Sequence, residues 1–325
     1  MIMRAALLHT YGGTVELGEH PDPEPGPDET LVQVSAAPIV PLDLLCAGGT
    51  SYFGRQPLPY VPGVQGVGVV RTSPDLAAGE RVWFATSAGM GPVDGSLAER
   101  CTVPHADLVP ISADVSDAAV AALGTSAIAA WMSLTWRAGL QSGERVVVLG
   151  ASGAVGQVTL AVAKHLGAAS VVAVCRSAQS AGPAGAAGAT EVVVLDPDED
   201  RAGLTARLTE AAGGPVDVVI DPVFGEPAAA AAMALGPWGR LVNIGGAAHD
   251  VAEFSSAVLR GRTIGILGYT NNAITPEQRA EALTQVLALA DGGVVSVEHR
   301  VMPLAECDQA WAMAGQSGPR IVVSI

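Results

Sequence analysis

The stretch "VVVLGASGAVGQ", residues 146–157, runs four apolar residues into a glycine-rich turn and then into a helical pattern. Its residue types suit one task. Small residues at Ala151, Gly153 and Gly156 let backbone N–H groups approach an anion at a helix N-terminus, the way a dinucleotide pyrophosphate is held. The fingerprint for that task is G-x-G-x-x-G, and the chain reads Ala151-Ser152-Gly153-Ala154-Val155-Gly156. Alanine in the first place removes freedom for positive φ, whereas Gly153 and Gly156 stand where close approach and helix packing need glycine. After the next strand-like run, an Asp or Glu would bind a free ribose 2′-hydroxyl. Here stand Cys175, Arg176 and Ser177. A guanidinium and a hydroxyl suit a 2′-phosphate, and no carboxylate is present to repel it, so the expected cofactor is NADPH.

The surrounding elements must place that turn at the end of a strand. From Glu144 onward, β-branched runs alternate with Ala-rich helical segments: "RVVVL" at Arg145, "SVVAVC" at Ser170, "EVVVLD" at Glu191, "VDVVID" at Val216, "RLVNIG" at Arg240 and "RTIGILGY" at Arg262. Apolar runs joined by crossover segments predict an α/β fold, a doubly wound parallel sheet covered by helices on both faces. The first 120 or so residues differ, with dense Gly and Pro punctuation ("PDPEPGPDET", "PLPYVPGVQGVGVV") and short strand-like runs that predict a β-rich domain. After Thr270, "PEQRAEALTQVLALADGG" reads as a helix with Pro276 in its first turn and Gly292 past its end, followed by a strand, a short helix and the terminal strand "RIVVSI". These elements are expected to complete the opening domain. The predicted division is therefore 1–123 with 272–325 as one domain, and 124–271 as the dinucleotide-binding one.

Composition narrows the function classes. With 325 residues, 49% of them hydrophobic and 15% charged, the chain suits a well-buried two-domain enzyme. A formal charge of −15 repels phosphate backbones and anionic membrane surfaces, so neither nucleic acid nor membrane is an expected partner. Cys46, Cys101, Cys175 and Cys307 lie far apart without a C-x-x-C pair, which indicates no disulfide framework or zinc knuckle and fits a reducing cytoplasm. The opening "MIMRAALLHTYGG" has too short an apolar run for a signal peptide. Residues 118–136 carry no charge over a membrane-spanning length, but they are Ala-rich and interrupted by Gly124, Thr125 and Ser126. A buried helix of a soluble protein is expected there.

With these motifs in place, the chain resembles the medium-chain dehydrogenase/reductase superfamily, and within it the zinc-independent quinone oxidoreductase branch of the zeta-crystallin type. The resemblance covers nearly the whole chain, through "LPYVPGVQGVGVV", "GERVWF", "GSLAERCTVP", "GTSAIAAW", "AGLQSGERVVVLGASGAVG" and "GRLVNIGG". It implies a GroES-like β domain, which would be the catalytic one, beside the Rossmann domain, with the active site in the cleft between them. It further implies cofactor contacts at Thr125 near the nicotinamide, Ser152 to Val155 at the pyrophosphate, Arg176 and Ser177 at the adenosine ribose, and Asn243, Ile244, Gly245 and Tyr269 beside the nicotinamide. Dimers of this superfamily are joined through the last strand of the Rossmann sheet, here residues 263–269. That run has no charge or proline to guard a free edge, so a homodimer is expected.

The resemblance also points away from metal chemistry. Zinc-dependent members place ligands in C-x-x-D and G-H-E settings, because catalytic zinc takes three protein ligands and an open position. This chain reads Val40-Pro41-Leu42-Asp43, then Gly63-Val64-Gln65, with no ligand near Leu123-Gly124 and no cysteine in "FATSAGMGPVDG". No metal is expected. Hydride transfer without one requires an electron-poor acceptor, a quinone or an α,β-unsaturated carbonyl, whose developing charge amides or a hydroxyl can stabilise. The branch's N-P-x-D-x-Y appears as Val40-Pro41-Leu42-Asp43-Leu44-Leu45, so its Asn and Tyr are apolar here. Tyr52 and then Tyr60 are the candidate proton donors, each also readable as a packing tyrosine, and water is the alternative. Asp43 is expected to bond local backbone. Two rival readings stay open, a metal-free ketone or aldehyde reductase and a protein that binds NADPH without turnover.

Overall fold

The computed structural model describes residues 2–325. The chain opens with β1 (Ile2–Leu8), β2 (Val15–Pro21), β3 (Glu29–Pro38), α1 (Pro41–Ala47), β4 (Gln65–Thr72), β5 (Arg81–Ala85), β6 (Arg100–Pro104), β7 (Leu108–Pro110) and α2 (Asp117–Met132). It continues with β8 (Arg145–Val148), α3 (Ala154–His165), β9 (Ser170–Cys175), α4 (Ala181–Ala186), β10 (Glu191–Val194), α5 (Arg201–Ala211) and β11 (Val216–Asp221). There follow α6 (Gly225–Ala234), β12 (Leu235–Asn243), α7 (Ser256–Arg262), β13 (Gly265–Gly268), α8 (Pro276–Asp291), β14 (His299–Pro303), α9 (Cys307–Ala314) and β15 (Arg320–Ser324). Two compact units result, Met1–Gly124 with Val297–Ile325, and Thr125–Ser296.

In the first unit, β14-β15-β3-β4-β5-β7 form a mixed sheet, with β6 paired to β3 and the hairpin of β1 and β2 beside it. Alternation explains β3, where Thr30, Val32 and Val34 turn inward and Leu31 and Gln33 do not. The core gathers Val32, Val70, Val82, Phe84, Leu97 and, from α9, Trp311. In the second unit the six strands run in the order β10-β9-β8-β11-β12-β13, and every pairing is parallel. Val146, Val147 and Val148 of β8 are fully buried, as a strand covered on both faces requires. The strand order reverses between β8 and β11. In open α/β sheets the crevice at that reversal, outside the carboxyl ends of the strands, is where ligands bind.

Three local expectations change. Residues 272–296 stay with the second unit instead of completing the first. The helix itself forms as read, with Thr275 and Gln278 in a reciprocal capping box and Gly292 at its end, and its face of Ala282, Leu283, Val286 and Leu287 is buried. Asn271 Nδ2 donates to the Thr125 carbonyl at 3.0 Å, tying the approach to this helix to the start of the same unit. Periodicity marks an apolar face but not the core it will meet. The predicted strand at 263–269 shrinks to Gly265–Gly268, because Thr263 caps α7 in the left-handed region with φ 55. The Gly268 carbonyl accepts from Arg137 Nε at 2.8 Å, so the uncharged end of this sheet borrows a cation from a distant segment. Finally, α2 is broken at Gly124 (φ 28, ψ −122) and followed by a π turn over Ser133–Arg137. The stretch Asp117–Arg137 is long and apolar enough to cross a membrane by length and composition alone, and 67% of its apolar 18-residue window is buried inside the fold.

Candidate functional site

The second unit assembles its polar groups at the carboxyl ends of the strands. Gly150, one residue before the fingerprint, takes the positive φ of +58. Ala151 is therefore free of that demand. It is fully buried, and its N–H donates to the Val174 carbonyl of β9 at 3.1 Å. A Cβ on Gly156 would lie 2.6 Å from both Ala151 Cα and the Gly150 oxygen, so only glycine lets the first turn of α3 press against the loop. Gly153 is the N-cap of that helix and supplies no side-chain cap. The first N–H groups of α3, beginning at Ala154 and Val155, point out of the helix with the positive end of its dipole. Gln157 Nε2 braces the turn by donating to the Ser152 carbonyl at 2.8 Å.

One strand over, Arg176 is exposed at the end of β9. Ser177 Oγ lies 3.2 Å from Ser180 Oγ. Cys175 is buried, and burial pushes its thiol pKa up. Its sulfur faces the Ser180 carbonyl at 3.6 Å, so of these three residues Arg176 is the exposed one.

On the other side, a residue absent from the sequence reading organises the site. Asp221 ends β11 fully buried, and its Oδ1 accepts from Val223 N at 2.9 Å and Phe224 N at 2.8 Å. Burial pushes its carboxyl up, opposed by those amides and by Asn243. Asn243 Nδ2 donates to Asp221 Oδ2 at 3.1 Å and to the Gly245 carbonyl at 2.8 Å, and Ile244 N donates to the Asp221 carbonyl at 2.8 Å. The clamp holds Phe224 in the left-handed region at φ 62, a conformation that costs about 1–3 kcal/mol and persists where the surroundings enforce it. The available signal was an acidic residue closing an otherwise apolar strand, "VDVVID".

The chain of contacts is continuous. Gly150 packs so closely on Val223 that a Cβ there would lie 2.8 Å from Val223 Cγ2. Tyr269 N donates to the Asn243 carbonyl at 2.9 Å, Tyr269 Oη to Asn271 Oδ1 at 2.7 Å, and Asn271 Nδ2 to the Thr125 carbonyl. Burial also pushes the Tyr269 phenol up, which keeps it a hydrogen-bond donor. Asp221, Asn243 to Gly245, Tyr269 and Thr125 thus form one hydrogen-bonded group, with the phosphate-type turn packed on Val223 beside it and Arg176 and Ser177 at the neighbouring strand end.

In the first unit the two candidate tyrosines part company. Tyr52 is 78% exposed and stacks on Phe53 with ring centroids 4.2 Å apart. Tyr60 is buried, its backbone paired with Leu8, and burial pushes its phenol up. Asp43, also buried, accepts from Val40 N at 2.8 Å, the local backbone bonding expected of it, and also from the distant Val64 N at 2.9 Å. Among the described residues no group of three or more His, Cys, Asp or Glu side chains could hold a metal.

Comparison with known proteins decides the family. Residues 26–113 match the alcohol dehydrogenase GroES-like domain, and residues 154–288 match the family described as zinc-binding dehydrogenase. Quinone oxidoreductase-like protein 2 of Bos taurus is 32% identical over 247 residues, covering 74% of this chain and 68% of that one. The chain belongs to the medium-chain dehydrogenase/reductase superfamily, in its quinone oxidoreductase branch. It is an oxidoreductase of that branch, with a GroES-like domain joined to a Rossmann-type one, and its neighbours support binding of a nicotinamide cofactor. A mycobacterial quinone oxidoreductase has the same fold, with a TM-score of 0.88 at 24% identity over 99% of this chain and 100% of that one. A second structure of a mycobacterial relative, complexed with NADPH, superposes with a TM-score of 0.86 at 24% identity over 99% and 100% of the two chains. The donor set of this chain does not fit the metal in the description of the matched family. The segments around residues 40 and 64 offer only Asp43, both of whose oxygens already accept backbone hydrogens, and Cys46, whose buried thiol is pushed up in pKa, too few for the three protein ligands a catalytic zinc takes.

Proposed function

We propose that the chain is an NADPH-dependent, zinc-independent reductase of quinones or α,β-unsaturated carbonyl compounds. The observation that carries this reading is the hydrogen-bonded group running from Asp221 through Asn243 and Tyr269 to Thr125, packed against Gly150 of the phosphate-type turn, with Arg176 at the neighbouring strand end. NADPH would supply the hydride. The amides at the start of α3 and the turn at Ser152 would hold its pyrophosphate, Arg176 and Ser177 its 2′-phosphate, and the group at Thr125, Asn243, Gly245 and Tyr269 its nicotinamide end. The first unit would bind the acceptor, and an acceptor whose charge spreads onto oxygen needs no Lewis acid. The proton would come from Tyr52 or from water at the same exposed surface. The cow quinone oxidoreductase-like protein 2 named above supports the reaction class.

Purified chain incubated with NADPH, or with NADH, and a panel of quinones, enones, ketones and aldehydes tests the reading through loss of reduced-cofactor absorbance. Turnover of quinones or enones, faster with NADPH and unchanged by chelators, is the expected result. Turnover confined to simple ketones, or lost when one equivalent of tightly bound zinc is removed, overturns it. We also propose a homodimer through β13, with Ile266 at its centre. Light scattering should give twice the chain mass, and Ile266→Lys should shift it toward monomer.

A further inference from the structure

The first unit brings four chain segments together at residues 40, 64, 83 and 124, and two buried polar side chains account for the joints. Asp43 Oδ2 accepts from Val40 N and its Oδ1 from Val64 N, which ties the start of α1 to the start of β4. Arg320 of β15 faces the same carboxylate and donates from Nη1 to the Ile39 carbonyl at 3.1 Å, while Ile39 N donates to the Ile321 carbonyl at 3.0 Å. Gln65 follows directly on Val64 and is fully buried. Its Oε1 accepts from the buried indole Nε1 of Trp83 at 3.0 Å, and its carbonyl accepts from Ser96 Oγ. The same Oε1 occupies the space beside Gly124, where a Cβ would lie 1.9 Å from it. A buried carboxylate and a buried amide are costly to desolvate, and both are retained here with bonded partners. Burial pushes the Asp43 carboxyl up to about 6 despite the amides of Val40, Val64 and Gly63 and the charge of Arg320, so the site carries a real desolvation cost for the joint it makes.

We infer that Asp43 and Gln65 are positioning residues which make, with hydrogen bonds, the cross-link that a bound metal would make between these segments, and which thereby fix the acceptor-binding surface of the first unit. The donors a metal would need are absent at residues 40 and 64, and the carboxylate at 43 binds the backbone of those same two residues instead. Gln65 carries the joint on to Trp83 and Gly124. Removing either side chain should loosen its own pair of segments while leaving the nucleotide turn of the second unit untouched. The acceptor part of this inference rests on the reductase reading above. The joint itself does not.

Hydrogen exchange resolved by peptide, together with steady-state kinetics, tests both parts on Asp43→Asn and on the pair Gln65→Met and Gln65→Glu. Asn keeps one acceptor and turns a donor toward a second N–H, so exchange should rise about 10- to 100-fold in peptides covering Val40 and Val64, the loss expected for a charged hydrogen bond. Peptides covering 150–156 should not change. Acceptor KM should rise by a similar factor with NADPH affinity unmoved, and Gln65→Glu, which keeps the acceptor for Trp83, should restore what Gln65→Met loses. Unaltered exchange at Val64 overturns the joint. A parallel rise in acceptor KM and NADPH Kd overturns the positioning role, since it reports general loosening. If the wild type reduces no acceptor at all, the reductase reading falls, while the exchange measurement still decides the joint. Should Asp43→Asn fail to fold, the two Gln65 variants carry the decision in peptides covering Gln65, Trp83 and Gly124, where exchange unaltered in Gln65→Met overturns the joint.

Discussion

Two helix N-termini in this molecule use the same physics to opposite ends. At α1 the amide of Val40 is taken by the chain's own carboxylate, Asp43, in a buried hydrogen bond of the first unit. At α3 the N-cap is Gly153, with no side-chain cap, and the amides of the following turn remain for something from outside. A helix start is an anion site by construction, because its first N–H groups lack intrahelical partners and the dipole adds positive charge. What differs is who brings the anion. The internal carboxylate makes a structural joint, and the uncapped turn is the proposed binding site.

The largest effect should follow from closing the open turn. Gly156→Val places a branched side chain where even a Cβ would lie 2.6 Å from Ala151 Cα and the Gly150 oxygen. The loop must then move away from α3, at about 1–3 kcal/mol of stability for overpacking. Cofactor binding measured by fluorescence titration should be lost altogether. Retained NADPH affinity would mean that the pyrophosphate sits elsewhere.

A gentler change converts one kind of terminus into the other. Gly153 has φ −74, and a Cβ there meets nothing closer than 3.4 Å, so Gly153→Asp is sterically tolerated. The new carboxylate should cap α3 from the N-cap position, accepting from first-turn amides, and the ligand-free protein should gain about 0.3–1 kcal/mol in thermal unfolding. The same charge competes with the pyrophosphate for several amides, each charged bond worth roughly 1.5–3 kcal/mol, so affinity should fall more than 100-fold. Opposite signs for stability and binding are the signature. Loss of both would show that the turn is structural.

Arg176→Ala probes the cofactor's far end. One charged hydrogen-bonding side chain is removed from an exposed strand end, so NADPH affinity should weaken by roughly 1.5–3 kcal/mol while NADH affinity stays nearly constant. Isothermal titration with both cofactors reads the difference. Equal losses would return Arg176 to a general role in the loop.

The contrast between the two termini also explains what the sequence makes visible. The open turn is encoded locally: an apolar strand, small residues at fixed spacing and a helical pattern suffice, and the strands from Arg145 onward form where their β-branched runs lie. Even there, the positive φ belongs to Gly150 and not to the fingerprint's first position, because a glycine one place upstream serves the same bend. Asp221 was missed because its partners, Val223, Phe224 and Asn243, are set by how the loop folds back after β11. The side chains of the first unit are harder still. Asp43 meets Val64 across 21 positions, and Gln65 meets Trp83 across 18, so neither joint has a local pattern. The placement of α8 shows the same limit, since an amphipathic helix states which face it buries but not against what.

The smallest effect concerns the proton. Tyr52 is 78% exposed, and its ring stacks on Phe53, so Tyr52→Phe keeps the stack and removes one solvent-facing hydroxyl. A buried general acid is typically worth about 100- to 10,000-fold in rate, because nothing else can deliver the proton. Water reaches Tyr52 freely and can replace its hydroxyl. We therefore expect kcat to fall by no more than about 10-fold, with NADPH affinity and thermal unfolding unchanged, since the loss belongs to one proton-transfer step. Solvent isotope effects on kcat distinguish the donors: a larger effect in the variant places Tyr52 in the proton path. Identical rates and isotope effects across the pH range would assign the proton to water and leave Tyr52 as a stacking residue. Either result bears on the contrast drawn above, because a donor that water can replace needs no buried joint to hold it, unlike the amides of residues 40 and 64.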